Sequence, residues 1–174
     1  MRKAAAYLAV SLDGYIADAD GGVGWLDDFA DAEDGGYEAF VQTVDTVVMG
    51  GRTYRQVTQE LSPGLWPYEG LDCWVWTHDS GPLPHARRIE GDLAAWLHAQ
   101  KQKPGKDIWL CGGAALIAAA ADAGEVGRWH LTVLPVLLGS GIRLFPEGQK
   151  QSLRLVSARQ SGGIAELIYE PEMR

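Results

Sequence analysis

The chain is built from short apolar runs separated by glycine-rich turns. Ala4 to Val10 is continuously apolar, Thr46 to Gly50 and Leu71 to Thr77 repeat the pattern, and Asp107 to Gly113 ends a fourth run on two glycines. Apolar runs of this length predict strands covered on both faces, as in parallel sheets. Between them the period changes. Tyr37, Phe40, Val41 and Val44 fall on one helix face, and residues 51–61 read as a helix following Gly50–Gly51. Asp92 is placed to cap a helix running to Lys101, and the alanine-rich stretch from Ala114 reads as another helix. Residues 11–25 read as a long loop, 87–91 as a short edge strand and 128–138 as a further strand run. The end of the chain reads as two strands joined around Ser161–Gly162–Gly163, a hairpin signal.

Strands alternating with helices and then a β-only end predict an α/β protein. The expected architecture is a mixed, mostly parallel sheet with helices on both faces and a C-terminal antiparallel hairpin. Residues 1–174 contain no repeat or linker that would divide them, so a single domain is expected.

Charge and composition narrow the function. The net charge of −8 disfavours nucleic-acid and membrane-surface partners. It leaves room for an anionic cofactor, because a few arginines and backbone N–H groups suffice for a local positive pocket. The basic and then apolar N-terminus is interrupted by Ser11 and Asp13, which argues against a leader peptide and for a cytoplasmic protein. Cys73 and Cys111 lie in strand-like runs and read as core thiols. The four histidines lack metal-ligand spacing, and no Gly-x-Ser-x-Gly elbow occurs. Asp18, Asp20 and Gly22 suggest a calcium loop, but Phe29 stands where the bidentate Glu belongs. With neither a metal site nor a nucleophile in view, a cofactor is expected to carry the chemistry.

Two segments share one design: strand, Gly-Gly, helix. Gly50–Gly51 and Gly112–Gly113 let the backbone turn sharply and approach a ligand, and the following helix N-terminus offers unpaired N–H groups to an anion. In open α/β sheets ligands sit beyond the carboxyl ends of the strands, where both junctions fall. Arg52 and Thr53 add a guanidinium and a hydroxyl at one helix start. Tight strand-to-helix packing alone would also explain each Gly-Gly. The glycine-rich loop ending in Trp25 reads as a lid over a planar ring.

Four segments carry a resemblance: AVSLDGYIA (Ala9 to Ala17), VDTVVMGGRTY (Val44 to Tyr54), DIWLCGGAALI (Asp107 to Ile117) and LTVLPVLLGSGIRLF (Leu131 to Phe145). In this order they resemble the dihydrofolate reductase-like superfamily. Within it, the chain is most similar to small proteins like the C-terminal reductase domain of the bifunctional riboflavin-biosynthesis deaminase-reductase. The resemblance implies the three-layer dihydrofolate reductase-like fold, NADPH as hydride donor, a pterin-, pyrimidine- or flavin-precursor-like substrate, and a homodimer.

It also implies roles for matched positions. Gly50, Gly51, Arg52 and Thr53 would cradle cofactor phosphate, and Thr77 and His78 would sit by the adenosine ribose. Cys111, Gly112, Gly113, Ala114, Ala115 and Leu116 would border the pyrophosphate and nicotinamide, which Ala9, Ile16 and Ala17 would frame. Asp13, Gly14, Tyr15 and Trp25 would shape the lid and substrate side. Two departures stand out. Dihydrofolate reductases place a carboxylate after the lid, but Asp27, Asp28, Asp31, Glu33 and Asp34 all fall there; Asp31 and Tyr37 are the candidates for proton delivery. The riboflavin enzymes usually carry Lys after SLDG, where Tyr15 stands here. The zinc deaminase signature is missing, so a free-standing reductase is expected, with a non-catalytic nucleotide-binding dimeric module as the alternative.

Overall fold

The computed structural model describes residues 1–29, 36–148 and 150–172. Among the described residues ten strands and four α-helices follow one another as β1 (Ala4–Ser11), β2 (Tyr15–Ala17), α1 (Tyr37–Val41), β3 (Val44–Gly50), α2 (Gly51–Gln56), β4 (Asp72–Trp76), β5 (Arg87–Ile89), α3 (Leu93–Lys101), β6 (Asp107–Gly112), α4 (Ala114–Asp122), β7 (Val126–Leu134), β8 (Ile142–Arg143), β9 (Leu153–Ser161) and β10 (Ile164–Pro171). A 3-10 turn occupies Gly24–Phe29, and a π-helical turn, Val57–Leu61, continues α2.

Eight strands form one sheet in the order β5-β4-β3-β6-β1-β7-β10-β9, and β2 and β8 make a separate antiparallel pair. From β5 through β7 every pairing is parallel; β10 then pairs antiparallel with both β7 and β9. The mostly parallel sheet and terminal hairpin match the sequence expectation.

Strand alternation sends side chains to two cores. Ala4, Ala6, Leu8 and Val10 of β1, with Ile108 and Leu110 of β6, pack against Leu93 and Leu97 of α3 and Leu116, Ile117 and Ala120 of α4. Ala5, Val47, Met49, Cys73, Val75 and Trp109 face the other way, against Phe40 of α1 and Tyr54 of α2. The result is three layers. Asp92 does cap α3, its carboxylate accepting from the Ala95 N–H at 2.7 Å.

Three local expectations need correction. Val44 is not on the α1 face but opens β3, pairing with Asp107, and α1 ends at Val41. Residues 11–25 are not all loop, since Tyr15–Ala17 pairs with Ile142–Arg143, and strands of three and two residues are too short to leave a sequence pattern. The strand run from Arg128 stops at Leu134 rather than Leu138, where the Val136 N–H turns back onto the Leu134 carbonyl at 2.8 Å.

Candidate active site

Beyond the carboxyl ends of β1, β3, β4 and β6 opens a cavity of about 820 Å³, within the range of small-molecule and cofactor sites. Its floor is the pair of glycine turns. A Cβ built on Gly50 would lie 3.7 Å from Gly113 N and 3.8 Å from Gly112 O, so the two turns rest against each other. Gly112 has φ +124°, a conformation that side chains disfavour, and the Gly112–Gly113 peptide is cis. Thr53 Oγ1 is 3.2 Å from where a Gly113 Cβ would stand, which brings the start of α2 over the second turn. The first backbone N–H groups of α2 and α4 have no intrahelical partners, the ordinary condition of helix starts.

The cavity is lined by Ala9, Ile16 and Ala17, by Gly50, Gly51, Arg52 and Thr53, by Thr77 and His78, and by Cys111 through Leu116. All positions assigned to the cofactor from sequence therefore converge on one space. Arg52 is differently engaged than its position suggested: its guanidinium donates to the Asp20 carbonyl, and Gln56 Nε2 donates to the Gly21 carbonyl at 3.0 Å. These two residues pin the loop after β2 onto α2. Arg55, also lining the cavity, pairs with Asp79 at 3.5 Å beside Thr77.

The residues assigned to the lid and substrate side lie elsewhere. Asp13 accepts from Ser11 Oγ at 2.6 Å and from the N–H groups of Leu138 and Gly139 at 3.1 and 2.8 Å, tying the β1–β2 turn to the loop after β7. Gly14 accepts from Leu144 N–H in the same clasp. Tyr15 is buried beneath the Arg143 guanidinium, 4.9 Å from its ring centroid. Trp25 is half-buried and outside the cavity wall, which takes Gly21, Val23 and Leu26 from this loop instead. Of the proton-delivery candidates, Asp31 lies outside the described residues. Tyr37 is exposed and outside the cavity lining, its ring 5.9 Å from the Tyr7 ring and 5.8 Å from Trp109, and partial desolvation among these rings pushes its hydroxyl ionisation up.

Sequence reasoning missed Tyr7 and Tyr68. Tyr7 is the one bulky ring of an alanine-rich strand, a signal that was available; Tyr68 sits in a turn-rich link without periodicity. Both line the cavity, with Tyr68 Oη 3.5 Å from Cys111 Sγ. Cys73 is a buried core thiol as expected, whereas Cys111 is half-buried in the cavity wall because β6 ends there; both are free. Burial raises the ionisation of the Cys111 thiol to about 11 and lifts that of Tyr68 further, so both keep their protons. Among the described residues no Asp or Glu lines the cavity, and no group of side chains could hold a metal ion. No described helix is long and apolar enough to cross a membrane.

Residues 2–164 match the RibD C-terminal domain family. The chain is 42% identical to the uncharacterized protein YwjB of Bacillus subtilis (strain 168), over 97% of both chains. Among solved structures it is similar to a putative riboflavin biosynthesis protein from Shewanella sp. PV-4, with a TM-score of 0.83 and 25% identity over 97% of this chain and 98% of that one. A diaminohydroxyphosphoribosylaminopyrimidine deaminase/5-amino-6-(5-phosphoribosylamino)uracil reductase from Thermotoga maritima shares the fold, with a TM-score of 0.70 and 16% identity; the match covers 98% of this chain and 57% of that one.

Proposed function

This chain belongs to the RibD C-terminal domain family, and from that premise we propose that it is an NADPH-dependent reductase of a planar heterocycle of pterin, pyrimidine or flavin-precursor type. A reductase-like role is what the family and its structural neighbours support. The observation that carries the finer reading is the convergence of both Gly-Gly turns, Thr53 and Thr77 on one cavity at the carboxyl edge of a parallel sheet.

The residues fit such a cofactor. Side chains are kept off the floor at Gly50, Gly51, Gly112 and Gly113, so a pyrophosphate could reach the backbone N–H groups of α2 and α4. Thr53 and Thr77 would add hydroxyl donors, and Arg55 a guanidinium near the Thr77 end. Ala9, Ile16 and Ala17 offer an apolar frame for a flat ring, and Leu116 closes the inner side. Bound there, the dinucleotide would supply a hydride. The protein's own part is to hold the ring pair, exclude water with Val23 and Leu26, and keep Tyr68 and Cys111 protonated beside it.

Titrating the protein with NADPH while following tryptophan fluorescence tests this directly. Quenching that saturates in the micromolar range is the expected result; no binding at millimolar cofactor would sink the proposal. The lack of a carboxylate in the described cavity wall favours a second reading, a nucleotide-binding module without catalysis. Steady oxidation of NADPH with a pterin or aminouracil substrate would eliminate it.

A further inference from the structure

The sheet order fixes how far apart some of the lining residues stand. Thr77 follows the last residue of β4, the glycine turns close β3 and β6, and Ala9 lies on β1; these strands are neighbours in the order β4-β3-β6-β1. At about 4.8 Å per strand, Thr77 and Ala9 are roughly 14 Å apart across the sheet. A dinucleotide with its reacting ring against Ala9, Ile16 and Ala17 and its pyrophosphate over the glycine turns therefore brings its second nucleoside to Thr77.

Among the described residues two arginines and no lysine line the cavity, and the two side chains diverge. The Arg52 guanidinium donates to the Asp20 carbonyl and crowds Gly21, on the loop after β2. Arg55 turns toward β4. Its Nη1 is 3.7 Å from where a Gly51 Cβ would stand, and the same point is 2.5 Å from Thr77 Oγ1. The bare Gly51 thus lets a guanidinium and a hydroxyl border one gap. Arg87 and Arg88 of the neighbouring β5 are engaged with Asp72 and the Gly81 carbonyl, and neither lines the cavity.

Arg55 is loosely held. Its Nη1 lies 3.5 Å from Asp79 Oδ2, and the two side chains are 51% and 60% exposed, so the pair is a weak one. Asp79 stands outside the lining, and its other oxygen accepts from the Gly81 N–H at 3.1 Å, so it keeps a partner when Arg55 leaves. A phosphate monoester carries about −1.5 to −2 charges at neutral pH and can take a guanidinium in two parallel hydrogen bonds. Resting on the cofactor reading above, we infer that Arg55 is the residue that distinguishes a 2′-phosphorylated from an unphosphorylated dinucleotide. Its guanidinium exchanges Asp79 for the phosphate on the ribose beside Thr77.

The test is a fluorescence titration with two matched pairs: NADPH against NADH, and adenosine 2′,5′-bisphosphate against adenosine 5′-phosphate. The 2′-phosphorylated member of each pair is expected to bind about tenfold or more tightly. Arg55→Leu should weaken those members about tenfold and leave the others within about twofold. Arg55→Lys should keep part of the preference as a point charge, and Asp79→Asn should widen it by removing the competing carboxylate. Arg52→Leu, which releases the loop after β2, should weaken NADPH and NADH alike. Equal binding within both pairs in the wild type overturns the inference, and so does a preference that neither Arg55→Leu nor Asp79→Asn alters. Failure of both NADPH and NADH to bind counts against the cofactor reading, while the smaller pair still decides the role of Arg55. If adenosine 2′,5′-bisphosphate fails as well, this inference falls with it.

Discussion

A Cβ placed on Gly51 would fall 2.5 Å from Thr77 Oγ1 and 2.9 Å from Thr77 Cβ. Those two residues follow the paired ends of β3 and β4, where Gly50 lies opposite Trp76. Thr77 cannot rotate away freely, since its hydroxyl accepts from the Asp79 N–H at 3.1 Å. Gly51→Ala must therefore push the strand ends apart and open the floor of the cavity. The expected cost is about 1–3 kcal/mol of stability in urea unfolding, with weakened NADPH quenching. Adding Thr77→Gly should restore most of the stability. A Gly51→Ala protein as stable as the parent would contradict the close approach.

Arg52 and Gln56 hold the loop after β2 through two backbone carbonyls, Asp20 and Gly21. Both bonds are at or near the surface, so their contribution to global stability is small, about 1 kcal/mol or less each. Their effect should be local. In the Arg52→Ala, Gln56→Ala double variant, limited proteolysis within residues 18–29 should accelerate several-fold while the urea midpoint barely moves. NADPH affinity should fall as well, because Gly21, Val23 and Leu26 form part of the cavity wall. Unchanged cleavage would show that the clasp does not restrain the loop.

The glycine turns that line the cavity were legible because they are made from local sequence. Gly50–Gly51–Arg52–Thr53 and Cys111 through Leu116 are contiguous strand-turn-helix segments, and parallel strands place such turns on one edge. Arg52 lines the cavity, yet its bond to Asp20 spans 32 residues and no pattern in either segment announces it. The aromatic part of the wall was not legible, because it too is made by long-range contacts. Tyr7 and Tyr68 reach the same cavity, each against Trp109, only after β1 and the link before β4 are brought onto the same side of the sheet, and neither has a periodic signature. Tyr15 and Trp25 misled because a large aromatic after a glycine loop suggests a lid, whereas the short β2–β8 pairing turns Tyr15 into a buried anchor.

Asp13 is also an anchor rather than a lid residue, and acid should reveal it. Its bond with Ser11, supported by the Gly139 and Leu138 N–H groups, holds the carboxyl below its ordinary value against an opposing effect of desolvation. A depressed carboxyl stabilises the fold above its unfolded pKa and loses that contribution as pH falls through the folded value. The wild-type Tm should therefore drop between about pH 5 and pH 3 more steeply than that of Asp13→Asn. The variant should already be less stable near neutrality, since an amide cannot accept from all three donors. Parallel Tm profiles would remove Asp13 from the acid response.

His130 should act at higher pH and in the same direction. Its ring is buried on β7, edge-on to Tyr7 at 4.5 Å and to Phe40 of α1 at 5.8 Å, with Nε2 3.4 Å from Glu166 Oε1 on β10. Burial favours the neutral imidazole, Glu166 opposes this, and Arg128 and Arg159 add to it; the outcome is a pKa below the ordinary 6.5. A base whose folded pKa is lowered contributes nothing while both states are neutral. As pH falls through about 6.5, the unfolded chain takes up a proton that the folded protein refuses, and stability declines. Urea midpoints measured from about pH 7.5 to pH 5.5 should fall in the wild type, and the fall should be shallower in His130→Gln. An identical slope in both proteins would mean that folding leaves the His130 pKa unchanged, and a shallower fall in the wild type would mean that Glu166 holds it charged.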